Sequence, residues 1–142
     1  MRLLTSKGRI DRIELHETDG PFLLERIGPA DFDDPIVEWL DSYAEGRHLP
    51  FQFDLKSLSS FTRRCLEQLC LTGWGDVVTY SDLAAQIGSP RGARAVGGAC
   101  RRNPFPLLIP CHRVVAKGGI GGFSLPHAIK KKLLLFEKAN IL

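Results

Sequence analysis

Two helix-sized segments joined by a single glycine turn, "TYSDLAAQIGSPRGARAVGGACRRNP" at residues 79–104, constrain the fold more than any other stretch. Thr79 and Asp82 stand three apart as a capping box that opens the first segment, and Gly88 is placed to close it. Ser89 and Pro90 follow at once as N-cap and first-turn proline of the second. Asn103-Pro104 ends it, because proline disfavours helix at the residue before it. Helix, tight glycine turn, helix is the outline of a helix-turn-helix unit. On the second helix Ala93, Val96 and Cys100 share a face suited to packing inward, while Arg91, Arg94, Gly98 and Arg101 share the other. Gly97 and Gly98 leave the middle of that outer face almost without side chains. Two adjacent glycines cost a helix about 2 kcal/mol relative to alanine, and close backbone approach to another surface would offset that cost. Arginines on such a smooth helix suit phosphates, and one can insert where a base has left the stack. The alternative is a helix packed tightly on a neighbour with its arginines in solvent.

The flanking segments fill in an α/β (α+β) fold. Just upstream, "SSFTRRCLEQLCLTG" sets Phe61, Cys65, Leu66, Leu69 and Cys70 along one helical stripe, which makes Cys65 and Cys70 core thiols. The N-terminal part reads as a small α/β lobe. "GRIDRIELHE" alternates like a half-buried strand, and "PFLLERIG" is its expected partner across the "TDGP" turn. "DFDDPIVEWLDSYAEG" predicts a helix with Asp34 as N-cap, Pro35 in the first turn, Gly46 as stop, and Ile36, Leu40 and Tyr43 on one face. "RHLPFQFDLKS" looks like a connection. The expected organisation is a short N-terminal α/β lobe over 1–56 and a mainly helical C-terminal domain over 57–142, carrying a winged-helix-like helix-turn-helix.

Charge divides along nearly the same line. Residues 1–60 carry 7 Lys/Arg against 12 Asp/Glu, a net −5, and residues 61–142 carry 12 against 4, a net +8. A basic C-terminal part points to a polyanion, with the acidic part facing away from it; a solubility bias is the alternative. No apolar run approaches the roughly 20 residues that cross a bilayer, and the N-terminus turns polar too soon for a signal peptide. A cytoplasmic protein without membrane contact is the default expectation, nucleoid-associated in a bacterium or nuclear in a eukaryote. The four cysteines, at 65, 70, 100 and 111, show no CxxC spacing, so no metal site is expected.

One cysteine stands apart. In "RRNPFPLLIPCHRVV" an apolar, strand-like run ends at Cys111-His112. A thiol near neutrality is only a few per cent thiolate, so a working nucleophile needs a base or positive surroundings. His112 is chemically suitable, yet neighbours on an extended strand point to opposite faces; a water relay or a sharp turn at Pro110 would resolve this. A carboxylate on the far imidazole nitrogen would fix the tautomer. The bland reading is a buried structural cysteine beside a surface histidine. Beyond it, "GGIGGFS" reads as a mobile wall over a pocket, ending at Ser124. The last helix, "PHAIKKKLLLFEKANIL", is expected to pack through Ile129, Leu133 and Phe136, with Lys130-Lys131-Lys132 as a solvated face. Glu137 is either a local ion-pair partner or the carboxylate that His112 needs.

In this order the parts resemble the alkylguanine-DNA alkyltransferases, also called methylated-DNA–protein-cysteine methyltransferases. "RAVGGACRRNPFPLLIPCHRVV" carries the likeness, which extends through "FTRRCLEQL", "GDVVTYSDLAAQIGSPRGA", "GGFS" and "LLLFE" over about residues 58–138. The resemblance implies a single-turnover methyltransferase that acts as a monomer and needs no cofactor or metal. It would bind double-stranded DNA in the minor groove and flip out a guanine alkylated at its 6-oxygen. Cys111 would accept the group, His112 would be the base acting through water, and Glu137 would orient His112. Asn103 would brace the turn beside the nucleophile, and Tyr80 would donate to the purine ring. Arg94 would fill the gap left by the flipped base, with Arg91, Ala95, Gly97, Gly98 and Arg101 also on the DNA. The backbone around Val114 and Ser124 would read the base edges, and Phe123 would stand at the pocket rim.

Two departures from the family pattern stand out. Phe123 replaces the usual tyrosine before the loop serine, and Leu125-Pro126 replaces a Gly-Gly. Phe123 removes a hydroxyl from the pocket rim and Leu125-Pro126 should stiffen and narrow the entrance, so bulky groups such as benzyl are expected to react more slowly than methyl. Rival readings are an alkyltransferase-like lesion sensor, which lacks the cysteine present here, and a helix-turn-helix regulator. Regulators normally read the major groove with longer polar side chains than this glycine-centred helix offers. A thiol protease would need a substrate cleft and a histidine distant in sequence.

Overall fold

The computed structural model describes residues 2–6, 9–15, 25–27, 35–47, 49–52, 54–122 and 125–139. The chain is a mixed α/β molecule: a small N-terminal sheet, one helix beside it, and a helical C-terminal region. The sheet holds β1 (Arg2–Ser6), β2 (Arg9–Glu14) and β3 (Glu25–Ile27) in the order β2-β1-β3. The sequence pattern pairs β2 with "PFLLERIG", but the structure pairs it antiparallel with β1, setting Leu3 opposite Ile13. β3 lies parallel on the other side of β1. Only two residues separate β1 from β2 in the sequence, which suffices for antiparallel neighbours.

Helix α1 (Pro35–Ala44) starts at Pro35 and is followed by Gly46 in the left-handed region, φ +78°. Asp34 lies outside the described residues. Ile36, Trp39 and Tyr43 are buried and Leu40 partly so. Helix α2 (Ser60–Leu69) is capped by Ser59, whose hydroxyl accepts from the Thr62 amide at 3.3 Å. It buries Cys65, Leu66 and Leu69. Burial pushes the thiols of Cys65 and half-buried Cys70 up to about 11, as suits core sulfur.

The helix pair forms with one change of boundary. In helix α3 (Tyr80–Gln86) Thr79 Oγ1 accepts from the Asp82 amide at 3.1 Å and donates to the Asp82 carboxylate at 2.7 Å. Gly88, at φ +76°, closes it. The sequence pattern makes Ser89 the next N-cap, but helix α4 runs only over Ala93–Arg101 with Gly92 before it. The Ser89 amide is already tied back to Ala84 O at 2.8 Å, beside Gly88 N to Ala85 O at 3.0 Å. That is the double bond of a Schellman stop, so Ser89 finishes α3 instead of starting α4. Helix α4 then packs against α2 and α3 through Val96, Ala99 and Cys100.

Strand β4 (Val78–Thr79) pairs in parallel with β5 (Val114–Val115), and helix α5 (His127–Phe136) follows. Helix α5 buries Ile129, Leu133 and Leu134, whereas Phe136 is 48% exposed, at the edge of an aromatic cluster. Among the described residues no helix is long and apolar enough to cross a membrane.

Candidate active site

The apolar run before Cys111 is buried as the sequence requires, but it is a looped turn and not a strand. Pro104, Pro106 and Pro110 remove the amide donors that a ladder would use. The Ile109 amide instead bonds back to Phe105 O at 2.8 Å. Leu107 takes a left-handed φ of +79°, costly for a side chain with a Cβ. Asn103 holds this conformation from inside: its Nδ2 donates to Ile109 O at 2.9 Å, and its Oδ1 accepts from the Phe105 amide at 2.9 Å. The chain then enters a single 3-10 turn, Cys111–Arg113, with the Arg113 amide closing on Pro110 O at 2.9 Å. A 3-10 turn rotates successive side chains by about a third of a circle, which removes the opposite-face problem that an extended Cys-His pair would have.

Cys111 is 1% exposed, yet it lines a cavity of ≈ 360 Å³. Cys100 and Arg101 of α4, Asn103, Pro106 and Leu125 share that cavity, and Ile13, Glu14 and Leu15 of the N-terminal part close its wall. Burial drives the Cys100 thiol well above its ordinary range, and a negative charge on Cys111 would push it further the same way. Cys100 is thus a wall residue, not a second nucleophile.

Beside Cys111 the imidazole is fully buried. His112 Nε2 bonds to Glu137 Oε1 at 2.7 Å. The same carboxylate accepts from Arg113 Nε at 2.8 Å on Oε2 and from Arg113 Nη2 at 2.9 Å on Oε1. Tyr43 Oη donates to Oε1 at 2.7 Å, and Arg113 Nη1 reaches Thr72 O. Burial alone would raise the Glu137 pKa, but the bonds from His112 and Arg113 outweigh it and hold the carboxyl at about 2. An ionised carboxylate on Nε2 places the proton there and leaves the lone pair on Nδ1. Nδ1 is buried and meets no hydrogen-bond partner among the described residues. Desolvation lowers the His112 pKa; Glu137 opposes that, while Arg113 and Lys130 reinforce it. The imidazole is therefore neutral at pH 7 and able to accept a proton.

Three residues of this centre have no site role in the sequence reading. Lys130 sits not on a solvated face but fully buried, with Nζ donating to Val114 O and, at 3.4 Å, to Tyr80 Oη. Desolvation lowers its pKa, opposed by the neighbouring thiols of Cys111 and Cys100. Its helical phase gave the available signal, since Lys130 falls three before Leu133 and four before Leu134. Arg113 follows directly on the Cys-His pair, and Tyr43 comes from α1, which no spacing rule links to Glu137.

The other predicted residues divide between interior and surface. Tyr80 is buried at the start of α3 and Val114 is buried in β5. Arg91, Arg94, Ala95 and Arg101 are exposed, whereas Gly97 is buried and so does not belong to the outer face. At 100° per residue, position 97 falls about midway between Cys100 and Arg94, on the border of the two faces. Gly98 is half-buried, and a Cβ there would meet the Arg102 guanidinium at 3.2 Å. Phe123 and Ser124 lie outside the described residues. No group of three or more potential metal ligands occurs among those described.

A cavity-facing thiol followed by an oriented, neutral imidazole is an arrangement for nucleophilic attack with proton removal. Residues 60–139 match the family model described as 6-O-methylguanine DNA methyltransferase, DNA binding domain. The chain is 44% identical over 109 residues to a methylated-DNA–protein-cysteine methyltransferase of Metallosphaera sedula, covering 75% of this chain and 68% of that protein. It is 42% identical over 123 residues to the protein of the same name from Cricetulus griseus, covering 78% of this chain and 59% of that relative. The fold is similar to that of Mycobacterium tuberculosis OGT solved in complex with DNA, with a TM-score of 0.77 and 28% identity over 96% of this chain and 84% of that one. The aligned part thus spans about three fifths to two thirds of the two relatives' lengths.

Proposed function

The chain belongs to the 6-O-methylguanine DNA methyltransferase family, and from that premise we propose that it repairs DNA by taking an alkyl group from the 6-oxygen of guanine onto its own Cys111. The observation that carries this reading is the His112–Glu137 bond of 2.7 Å, with Nδ1 left as a buried acceptor beside a thiol that lines a cavity. His112 Nδ1 takes the Cys111 proton through one water, and the thiolate sulfur attacks the alkyl carbon. The carbon–oxygen bond breaks with its electron pair passing to the guanine 6-oxygen. Tyr80 then donates to the purine ring, which neutralises the leaving anion; its own oxygen accepts from Lys130. A thioether has no leaving route under these conditions, so each molecule reacts once.

Recognition on this reading falls to α4. Its exposed arginines meet phosphates along the minor groove, and Arg94 enters the space of the flipped nucleotide. Flipping costs a few kcal/mol, less for a damaged and poorly paired base. The ≈ 360 Å³ cavity has a volume typical of small-ligand sites, about 300–1,000 Å³. The test is intact-mass measurement after incubation with a duplex containing 6-O-methylguanine. A gain of one methylene equivalent, absent in Cys111→Ala, is expected. Tight binding without mass gain would replace transfer by lesion recognition.

A further inference from the structure

Tyr43 comes from α1, in the N-terminal part of the chain, yet its Oη touches the carboxylate behind the nucleophile. Glu137 Oε1 accepts from three donors at once: Tyr43 Oη at 2.7 Å, His112 Nε2 at 2.7 Å and Arg113 Nη2 at 2.9 Å. An acceptor shared among three donors offers each less negative charge than it would offer one alone. The phenol cannot swing away. Its ring stacks on Trp39 at 5.1 Å with planes 12° apart, and meets Trp74 edge-on at 5.0 Å and Phe136 at 5.6 Å. Burial, and then the Glu137 charge, drive its ionisation far above the ordinary tyrosine range, so the hydroxyl stays a donor at every working pH.

The groups around His112 make that third donor matter. Arg113 from the same turn and Lys130 from α5 both oppose a proton on the imidazole, and Glu137 favours one. Cys111 precedes it in the turn, and Tyr43 reaches the cluster from α1 through Glu137. How strongly Glu137 pulls on His112 therefore sets how good an acceptor Nδ1 is.

We propose that Tyr43 is a positioning residue for transfer: by donating to Glu137 Oε1 it limits the pull of that carboxylate on His112, keeps Nδ1 a neutral acceptor, and ties α1 to the reacting thiol. The proposal rests on the reading that Cys111 and His112 perform alkyl transfer. It predicts that Tyr43→Phe, which removes the hydroxyl and keeps the ring, gives Glu137 back to His112 and makes the imidazole easier to protonate. The His112 ring resonances, followed by NMR in the intact protein, should titrate roughly half a pH unit higher than in the wild type. The acid limb of single-turnover methyl transfer should move up by the same amount, so the loss of rate below the His112 pKa exceeds that at pH 8 by up to about threefold. Phe136→Leu loosens the aromatic cage but leaves the hydroxyl, and should lower Tm without moving the titration. Unchanged His112 titration and acid limb in Tyr43→Phe would overturn the proposal, as would an equal shift in Phe136→Leu. A wild-type protein that transfers no methyl would instead remove the transfer reading, while the NMR titration would still report on Tyr43.

Discussion

At the scale of single residues, the chemistry depends on three charged groups that water does not reach. Glu137, Arg113 and Lys130 are all buried, and each is compensated by named partners. Buried charges of this kind make stability depend on pH with a definite sign. His112 has a folded pKa below its ordinary 6.5, so an unfolded chain binds a proton that the folded one refuses. Its contribution is complete above about pH 6.5 and is lost as pH falls below it. Glu137, held at about 2 against an ordinary 4.5, adds a second loss of order 3 kcal/mol as pH falls from about 4.5 toward 2. Urea denaturation from pH 8 to pH 3 should therefore show stability declining in two stages; a flat curve between pH 7 and pH 5 would contradict the His112 assignment. Cys111, His112, Asn103 and Glu137 were legible as a group through the family likeness. Lys130 was not, because three lysines in a row mask a helical phase that turns only the first of them inward. Tyr43 was hidden for another reason: its bond to Glu137 spans 94 residues.

At the scale of elements, local rules worked for the cap and stop of α3 and failed at the Ser89 cap and at the apolar run. The Thr79–Asp82 box and the Gly88 stop stand where the sequence sets them. The run at 105–109 looks like a strand because apolar content does not distinguish a buried strand from a buried turn; its prolines were the better guide. β1 is five residues long, too short to show a period. The glycine-rich segment after β5 gains a physical reason at one position. Gly121 has φ +69°, and a Cβ there would lie 3.0 Å from both the Ala116 amide nitrogen and the Tyr80 ring. Gly121→Ala should cost about 1–2 kcal/mol for the left-handed backbone alone. It should also displace Tyr80 from Lys130, slowing transfer at least tenfold; single-turnover kinetics alongside thermal melts would separate the two effects.

At the scale of the whole molecule, charge and chemistry are arranged together. The basic part of the chain carries α4 with Arg94 and Arg101 exposed and Arg91 exposed just before it, and the acidic part lies earlier in sequence. If Arg91, Arg101 and Arg102 contact phosphates, duplex binding should weaken with salt with a logarithmic slope of roughly −3. Fluorescence anisotropy at several salt concentrations measures that slope. Arg94→Ala should lower affinity for lesion-containing duplex while changing the slope by less than one, since a residue standing in the base stack neutralises no phosphate. A loss of slope as large as that of Arg101→Ala would place Arg94 on the backbone. The centre is also built from distant parts of the chain: α1, the turn after the proline loop, and the end of α5, where Glu137 lies 25 residues beyond His112. During synthesis the sulfur is consequently made before the group that sets its neighbour's tautomer. If Cys111 accepts one group and keeps it, that order protects it, because a chain whose Glu137 has not yet docked presents a sluggish thiol to stray electrophiles and becomes competent only once α5 is in place.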